Sequence, residues 1–240
     1  MKRELRELIE RSHYAVFFGG AGVSTESKIP DFRSTDGLYH QKYPYPPEQI
    51  LSHSFFNHAT EEFYRFYRDK MLFPNAQPNP AHLALARLEE IGKLKAVITQ
   101  SIDGLHQKAG SSTVYELHGS VHRNYCTKCG KFYGLDHILS TTGVPHCSCG
   151  GIIKPDVVLY EEPLDDSIVR KAINHIKKAD LLIIGGTSLS VYPAAGFIQY
   201  FRGSELVLIN RDPTSADHKA TLLLREPIGQ VMDLSQEETI

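Results

Sequence analysis

Short apolar runs alternate with longer stretches of helical periodicity along most of this chain. The runs are AVFF (15–18), KAVIT (95–99), VYEL (114–117), VVLY (157–160), LLIIGG (181–186) and LVLIN (206–210). Such runs suit strands buried on both faces. Their separation by helices predicts an α/β fold, a Rossmann-like parallel sheet with helices on both faces. The helical signals are explicit. Leu5, Leu8 and Ile9 share one face of the charged N-terminal stretch MKRELRELIERSHY. Asn79 and Pro80 supply an N-cap and a first-turn proline for HLALARLEEIGK, and DDSIVRKAINHIKKAD repeats apolar residues at helical spacing.

Two segments break the alternation. One holds KYPYPPE and the aromatic EEFYRFYRDKM; the other holds all four cysteines. Both read as excursions that build a smaller lobe from a helical insertion (38–76) and a zinc-binding module (121–153). The sheet domain then comprises 1–37, 77–120 and 154–240. Tyr64 and Tyr67, one helical turn apart, read as core residues of the insertion.

Composition narrows the function. In 240 residues the hydrophobic share is 41% and the charged share 22%, as in ordinary globular proteins, and the net charge of −2 argues against nucleic acid or an anionic membrane as main partner. The charged amphipathic N-terminus is unlike a signal peptide and no apolar run reaches membrane-spanning length, so a cytoplasmic protein is expected, and a monomer. In that setting paired cysteines point to metal rather than disulfides. Cys126 and Cys129 form C-x2-C, seventeen residues intervene, and Cys147 and Cys149 form C-x-C. Four thiolates close a tetrahedral shell with no position left for water, which makes the expected zinc structural. A redox C-x-x-C would not need the second pair.

Ligands of open parallel sheets bind outside the carboxyl ends of the strands. Six loops qualify here: Gly19–Gly22, Gln100–Asp103, His118-Gly119, Glu161-Glu162, Gly186–Ser188 and Asn210-Arg211. Gly20-Ala21-Gly22, with Ser24 and Thr25 behind it, suits close approach to a pyrophosphate, or simply a tight strand-to-helix turn. A dehydrogenase is disfavoured, because Thr25 occupies the third-glycine position and no acid follows a second strand. Among 12 histidines, His118 stands out by its place at a strand end before a glycine, where an imidazole could act as general base. Asp103 either caps the following helix or receives an amide or ribose group. Asn210 either shapes the turn before Asp212-Pro213 or contacts ribose or adenine.

Taken in order, GAGVSTESKIPDFRS, TQSIDGLH, ELHGS, the paired cysteines, KPDVVLYEE, GGTSLSVYPA and LINRDPT closely resemble the sirtuin family of NAD-dependent protein deacylases, with matching spacing from about residue 10 to 225. The resemblance implies that Gly20, Ala21, Gly22 and Thr25 hold the NAD pyrophosphate. By the same likeness Phe32 shields the nicotinamide ribose and Arg33 contacts phosphate. Gln100, Ser101, Ile102 and Asp103 then line the nicotinamide pocket, Gly186, Thr187, Ser188 and Asn210 hold the adenosine half, and Ile228 packs near the adenine. Family chemistry implies attack of an acetyl-lysine oxygen on C1′ of the nicotinamide ribose, displacing nicotinamide. His118 then helps deprotonate a ribose hydroxyl that attacks the resulting imidate, and the products are free lysine, nicotinamide and O-acetyl-ADP-ribose. Substrate peptide is expected as an added strand along Val158, Leu159 and Glu161 on one side and Val191 on the other.

Several positions depart from the family pattern. Tyr67 stands where relatives that prefer acidic acyl groups carry arginine, which favours acetyl or another neutral acyl group. Ser101 replaces a usual asparagine, Lys28 and Glu161 replace usual glycines, and Gly19 replaces a frequent threonine. Active deacetylation of acetylated lysine is the favoured reading. ADP-ribosyl transfer, long-chain deacylation, or a non-catalytic NAD or ADP-ribose binding module on the same fold are the alternatives.

Overall fold

The computed structural model describes residues 1–31 and 43–235. In chain order the strands among them are β1 (Ala15–Gly19), β2 (Leu94–Thr99), β3 (Val114–Glu116), β4 (Gly119–Cys126), β5 (Phe132–Gly134), β6 (Ile153–Val157), β7 (Leu181–Gly185), β8 (Glu205–Ile209) and β9 (Leu222–Leu224). Six form one sheet in the order β3-β2-β1-β7-β8-β9, every neighbouring pair parallel. From β1 the chain winds outward to β2 and β3, then returns to the other side of β1 for β7, β8 and β9. The β1/β7 boundary is therefore the topological switch point, where the flanking loops diverge and leave a crevice.

Side-chain alternation along β1 divides two cores. Phe17 joins one apolar cluster, and Val16 and Phe18 join the other, all fully buried. Helix α1 (Arg3–Arg11) brings Leu5 and Ile9 to the Phe17 side. Residues 47–70 then form α2 (Pro47–Ile50), α3 (His53–His58) and α4 (Thr60–Lys70). Helix α5 (Pro80–Glu90) adds Leu85 and Leu88 to the Phe17 cluster. It starts as the sequence requires, the Asn79 side chain accepting from Ala81 N–H at 2.9 Å while Asn79 N–H donates to His82 Nδ1 at 3.2 Å. The one-turn α6 (Leu105–Lys108) and α7 (Leu135–Ser140) precede α8 (Asp166–Lys178), which covers the opposite face with Ala172 and Ile176. Finally α9 (Ile228–Met232) returns to the Phe17 cluster. Truncating Phe17 to alanine would cost about 3–5 kcal/mol.

The remaining strands form a separate antiparallel sheet, β5-β4-β6. It shares a third apolar cluster with α2, α3, α4 and α7, built around Ile50, Phe56, Phe63, Tyr67, Ile138 and Ile153. Tyr64 and Tyr67 are core residues, as their spacing suggested, and the Tyr64 hydroxyl donates to the Ile153 carbonyl.

One strand expectation needs correction, and one strand was not anticipated. VVLY is not a strand of the parallel sheet: β6 ends at Val157, pairs antiparallel with β4, and belongs to the smaller cluster. An apolar run reports burial and cannot report which sheet buries it. Instead β9 completes the parallel sheet. It lies at the edge, is partly buried, and its apolar run of three leucines is shorter than the other runs. No helix among the described residues is long and apolar enough to cross a membrane.

Candidate active site

A cavity of about 600 Å³ opens at the carboxyl edge of the parallel sheet, between the loops that leave β1 and β7. All described residues singled out from the sequence for nucleotide and peptide contacts line it: Gly20, Ala21, Gly22 and Thr25, then Gln100–Asp103, His118, Gly186–Ser188, Asn210 and Ile228, and finally Val158, Leu159, Glu161 and Val191. Phe32 and Arg33, with the rest of the stretch 32–42, lie outside the described residues.

The glycines are required by how closely the two loops meet. Gly22 N–H donates to Gly186 O at 2.9 Å, and a Cβ on Gly22 would sit 2.6 Å from that oxygen. Beyond β1 the chain turns into a short 3-10 helix, Ala21–Ser27, rather than an α-helix. Among the described residues the backbone N–H groups of Ala21 and Thr187 take no acceptor. Two such donors across the switch point fit an anionic pyrophosphate.

His118 lies between β3 and β4, and Gly119 makes that corner possible. Its φ is 75°, and a Cβ there would fall 1.8 Å from Asp156 O. His118 Nδ1 is 3.1 Å from Gln100 O. A carbonyl only accepts, so Nδ1 carries the proton and Nε2 keeps its lone pair. Burial pushes the ring's pKa below its ordinary value, partly opposed by the Gln100 hydrogen bond, and this favours the neutral form.

Asp103 is the hub of the floor. Its Oδ2 accepts from Ser24 Oγ and from Ser101 Oγ, each at 2.6 Å, and its Oδ1 accepts from Leu105 N–H at 2.9 Å. Asp103 therefore makes a local bond, an Asx turn onto the first residue of α6, while Gly104 occupies the N-cap position. Ser101 braces this carboxylate. Behind Ser24 stands His82, Nε2 to Oγ at 3.5 Å, and beside His82 stands His106, with ring centroids 4.8 Å apart. From the other side His122 Nε2–H donates to Asp103 O at 2.9 Å. His82 and His122 escaped sequence reasoning. Only tertiary contacts distinguish them from the other histidines, although the Asn79-x-x-His82 capping spacing was visible.

Asn210 also takes the structural alternative, its Nδ2 donating to Asp212 O at 2.8 Å within the turn. Ile228 is buried in the Phe17 cluster yet forms part of the cavity wall. The two departures from glycine are both left-handed, φ 64° at Lys28 and φ 75° at Glu161. Tyr64 and Tyr67 do not reach the cavity.

In the smaller lobe the four cysteine Sγ atoms lie within 4.8 Å of one another, with Cys126–Cys149 at 3.5 Å and Cys129–Cys147 at 3.6 Å. Tetrahedral zinc with bonds near 2.3 Å sets neighbouring sulfurs about 3.8 Å apart. The four thiols are close enough together to hold a metal ion, and the short C-x-C turn does not keep them apart.

Comparison with known proteins agrees with this geometry. The model of the Sir2 family matches residues 20–193. A relative from Clostridium perfringens, named NAD-dependent protein deacetylase, is 62% identical over 233 residues, 95% of this chain and 96% of its own. One of the same name from Clostridium acetobutylicum is 58% identical, covering 96% of each chain. Among solved structures, a Sir2 complex with p53 peptide and NAD+ superposes with a TM-score of 0.86 at 41% identity, over 97% of this chain and 96% of that one. A Sir2 variant with deacetylated p53 peptide and 3′-O-acetyl ADP ribose gives 0.89 at 40% identity, over 97% and 96%. With a glycine-built switch point, a neutral histidine at its edge and near full-length identity to these relatives, the chain belongs to the Sir2 family.

Proposed function

We propose that the protein is an NAD-dependent protein-lysine deacetylase whose site residues are those lining the cavity. The observation that carries this is the placement of His118 in the cavity wall, its Nδ1–H donating to Gln100 O so that Nε2 keeps its lone pair, with Val158, Leu159, Glu161 and Val191 lining the same cavity. When bound, NAD supplies the glycosidic bond that breaks to release nicotinamide and the ribose that takes up the acetyl group. Ala21 and Thr187 N–H groups anchor its pyrophosphate. Gln100, Ile102 and the braced Asp103 form the wall for the nicotinamide end, while Ser188, Asn210 and Ile228 receive the adenosine. His118 Nε2 accepts the proton of a ribose hydroxyl, and Gln100 O keeps Nδ1–H pointed away from the reaction. Val158, Leu159, Glu161 and Val191 border the entry for an acetyl-lysine peptide. Alignment matters most, because an amide oxygen is a weak nucleophile.

The smaller lobe is proposed to be an insertion of two parts, 38–76 and 121–153, with structural zinc held by Cys126, Cys129, Cys147 and Cys149. Its separate apolar cluster supports a separate lobe, and the cluster also takes in Val157 and Leu159 beyond the second part. The acyl group is proposed to be acetyl or another neutral group, since the helix position that would carry an arginine for acidic groups is the buried Tyr67.

The direct test is nicotinamide release from NAD with and without an acetyl-lysine peptide, following the peptide mass in parallel. Peptide-dependent release with loss of one acetyl group is the expected result. NAD binding without release would instead favour a binding module.

A further inference from the structure

Glu161 holds a backbone conformation, φ 75°, in which a side chain is normally strained. Its carboxylate shows how the strain is held. One oxygen accepts from Ser54 N–H and the other from Ser54 Oγ–H, both at 2.9 Å, at the start of α3 in the smaller lobe. The adjoining residues reinforce this contact. Tyr160 N–H donates to Leu51 O at 2.9 Å, and His53 N–H donates to Tyr160 O at 3.0 Å. Glu162 accepts from His53 Nδ1 at 2.8 Å and from Lys154 Nζ at 3.0 Å.

The backbone groups of Tyr160 are therefore consumed on the side of the smaller lobe. Those of Glu161 are not. Its N–H and C=O take no partner among the described residues, and the residue lines the cavity. An extended peptide entering here needs one such free donor and acceptor pair, held still.

We infer that Glu161 is a positioning residue for the substrate peptide. Its carboxylate, latched to Ser54, fixes the left-handed turn that presents the Glu161 backbone N–H and C=O to the incoming strand. The inference rests on the deacetylase reading for the identity of the peptide. Affinity, rather than the chemical step, is what the latch controls.

The test is fluorescence anisotropy of a labelled acetyl-lysine peptide on the full chain, with NAD affinity measured on the same samples. E161A is expected to weaken peptide binding by about tenfold, and E161Q, whose amide oxygen accepts from Ser54 N–H while its NH2 donates to Ser54 Oγ, to stay within about twofold of the parent. NAD affinity is expected to be unchanged in both, a split that general destabilisation would not produce. Peptide affinity in folded E161A equal to that of the parent overturns the inference. Where E161A fails to fold, S54A decides in its place: weakened peptide binding supports the latch and unchanged binding overturns it. A parent protein that binds peptide but releases no nicotinamide would overturn the deacetylase reading and leave this comparison intact.

Discussion

His118 Nδ1 lies 3.1 Å from the carbonyl oxygen of Gln100, and this single contact decides which ring nitrogen carries the proton. The two residues lie just past the ends of different strands, β3 and β2, so the parallel pairing of those strands sets the tautomer. Burial keeps the ring neutral and the carbonyl keeps it oriented.

Replacing His118 with alanine should leave NAD binding nearly intact and reduce deacetylation by about 10²-fold or more. Calorimetry for NAD and peptide mass for turnover check this. Turnover equal to the parent's would remove His118 from the role of base.

Acid should lower both activity and stability, through different histidines. Loss of activity should follow the His118 pKa, which burial holds below the ordinary value, so the acid limb of kcat/KM should fall below about pH 6.5. His82 and His106 are likewise held below the ordinary value, chiefly by burial. In the unfolded chain they bind protons from about pH 6.5 downward, whereas in the folded chain they resist until lower pH. Their neutral burial therefore costs little at pH 7 and destabilises as pH falls, by on the order of 1–2 kcal/mol per ring at pH 5. Urea unfolding at the two pH values would show it. His106→Phe should flatten the dependence, since both nitrogens of that buried ring lack partners among the described residues.

Removing metal should unfold the smaller lobe before the sheet domain. The four thiols join the end of β4 to the turn before β6, and Cys126 and Cys147 belong to the lobe's own apolar cluster. Structural zinc contributes its binding energy directly to folding. Chelation, with metal content confirmed, should produce an earlier melting transition; a curve unchanged after confirmed zinc loss would rule out a structural metal.

Lys28→Gly should stabilise the protein by about 1 kcal/mol, because Lys28 sits at φ 64° and glycine adopts that conformation without a Cβ penalty. Denaturant midpoints would measure the gain. A loss of stability would mean that the lysine side chain makes a compensating contact worth more than the strain.

Much of the site was legible because it obeys local rules. Apolar runs marked β1, β2, β7 and β8, strand ends marked the loops, and cysteine spacing marked the four-thiol cluster. Legibility stopped where one residue could serve two partners. Asp103 and Asn210 were each balanced between a local cap or turn and a ligand contact. In the structure both make the local bond, and both still face the cavity. Ser101 looked like a weakened ribose contact, yet its hydroxyl is engaged by Asp103.

By itself the sequence determined the α/β class, the identity of the loops that meet at the sheet edge, and the four-thiol module, because each depends on periodicity or on residues close together in the chain. Only the tertiary structure decided that β6 leaves the parallel sheet, that Ser24 and Ser101 converge on Asp103, and that Glu161 is latched to Ser54, 107 residues away. Those relationships mostly join segments far apart in sequence. Hydrogen-bond direction and sheet partnership are properties of the folded geometry, which residue type and spacing do not encode.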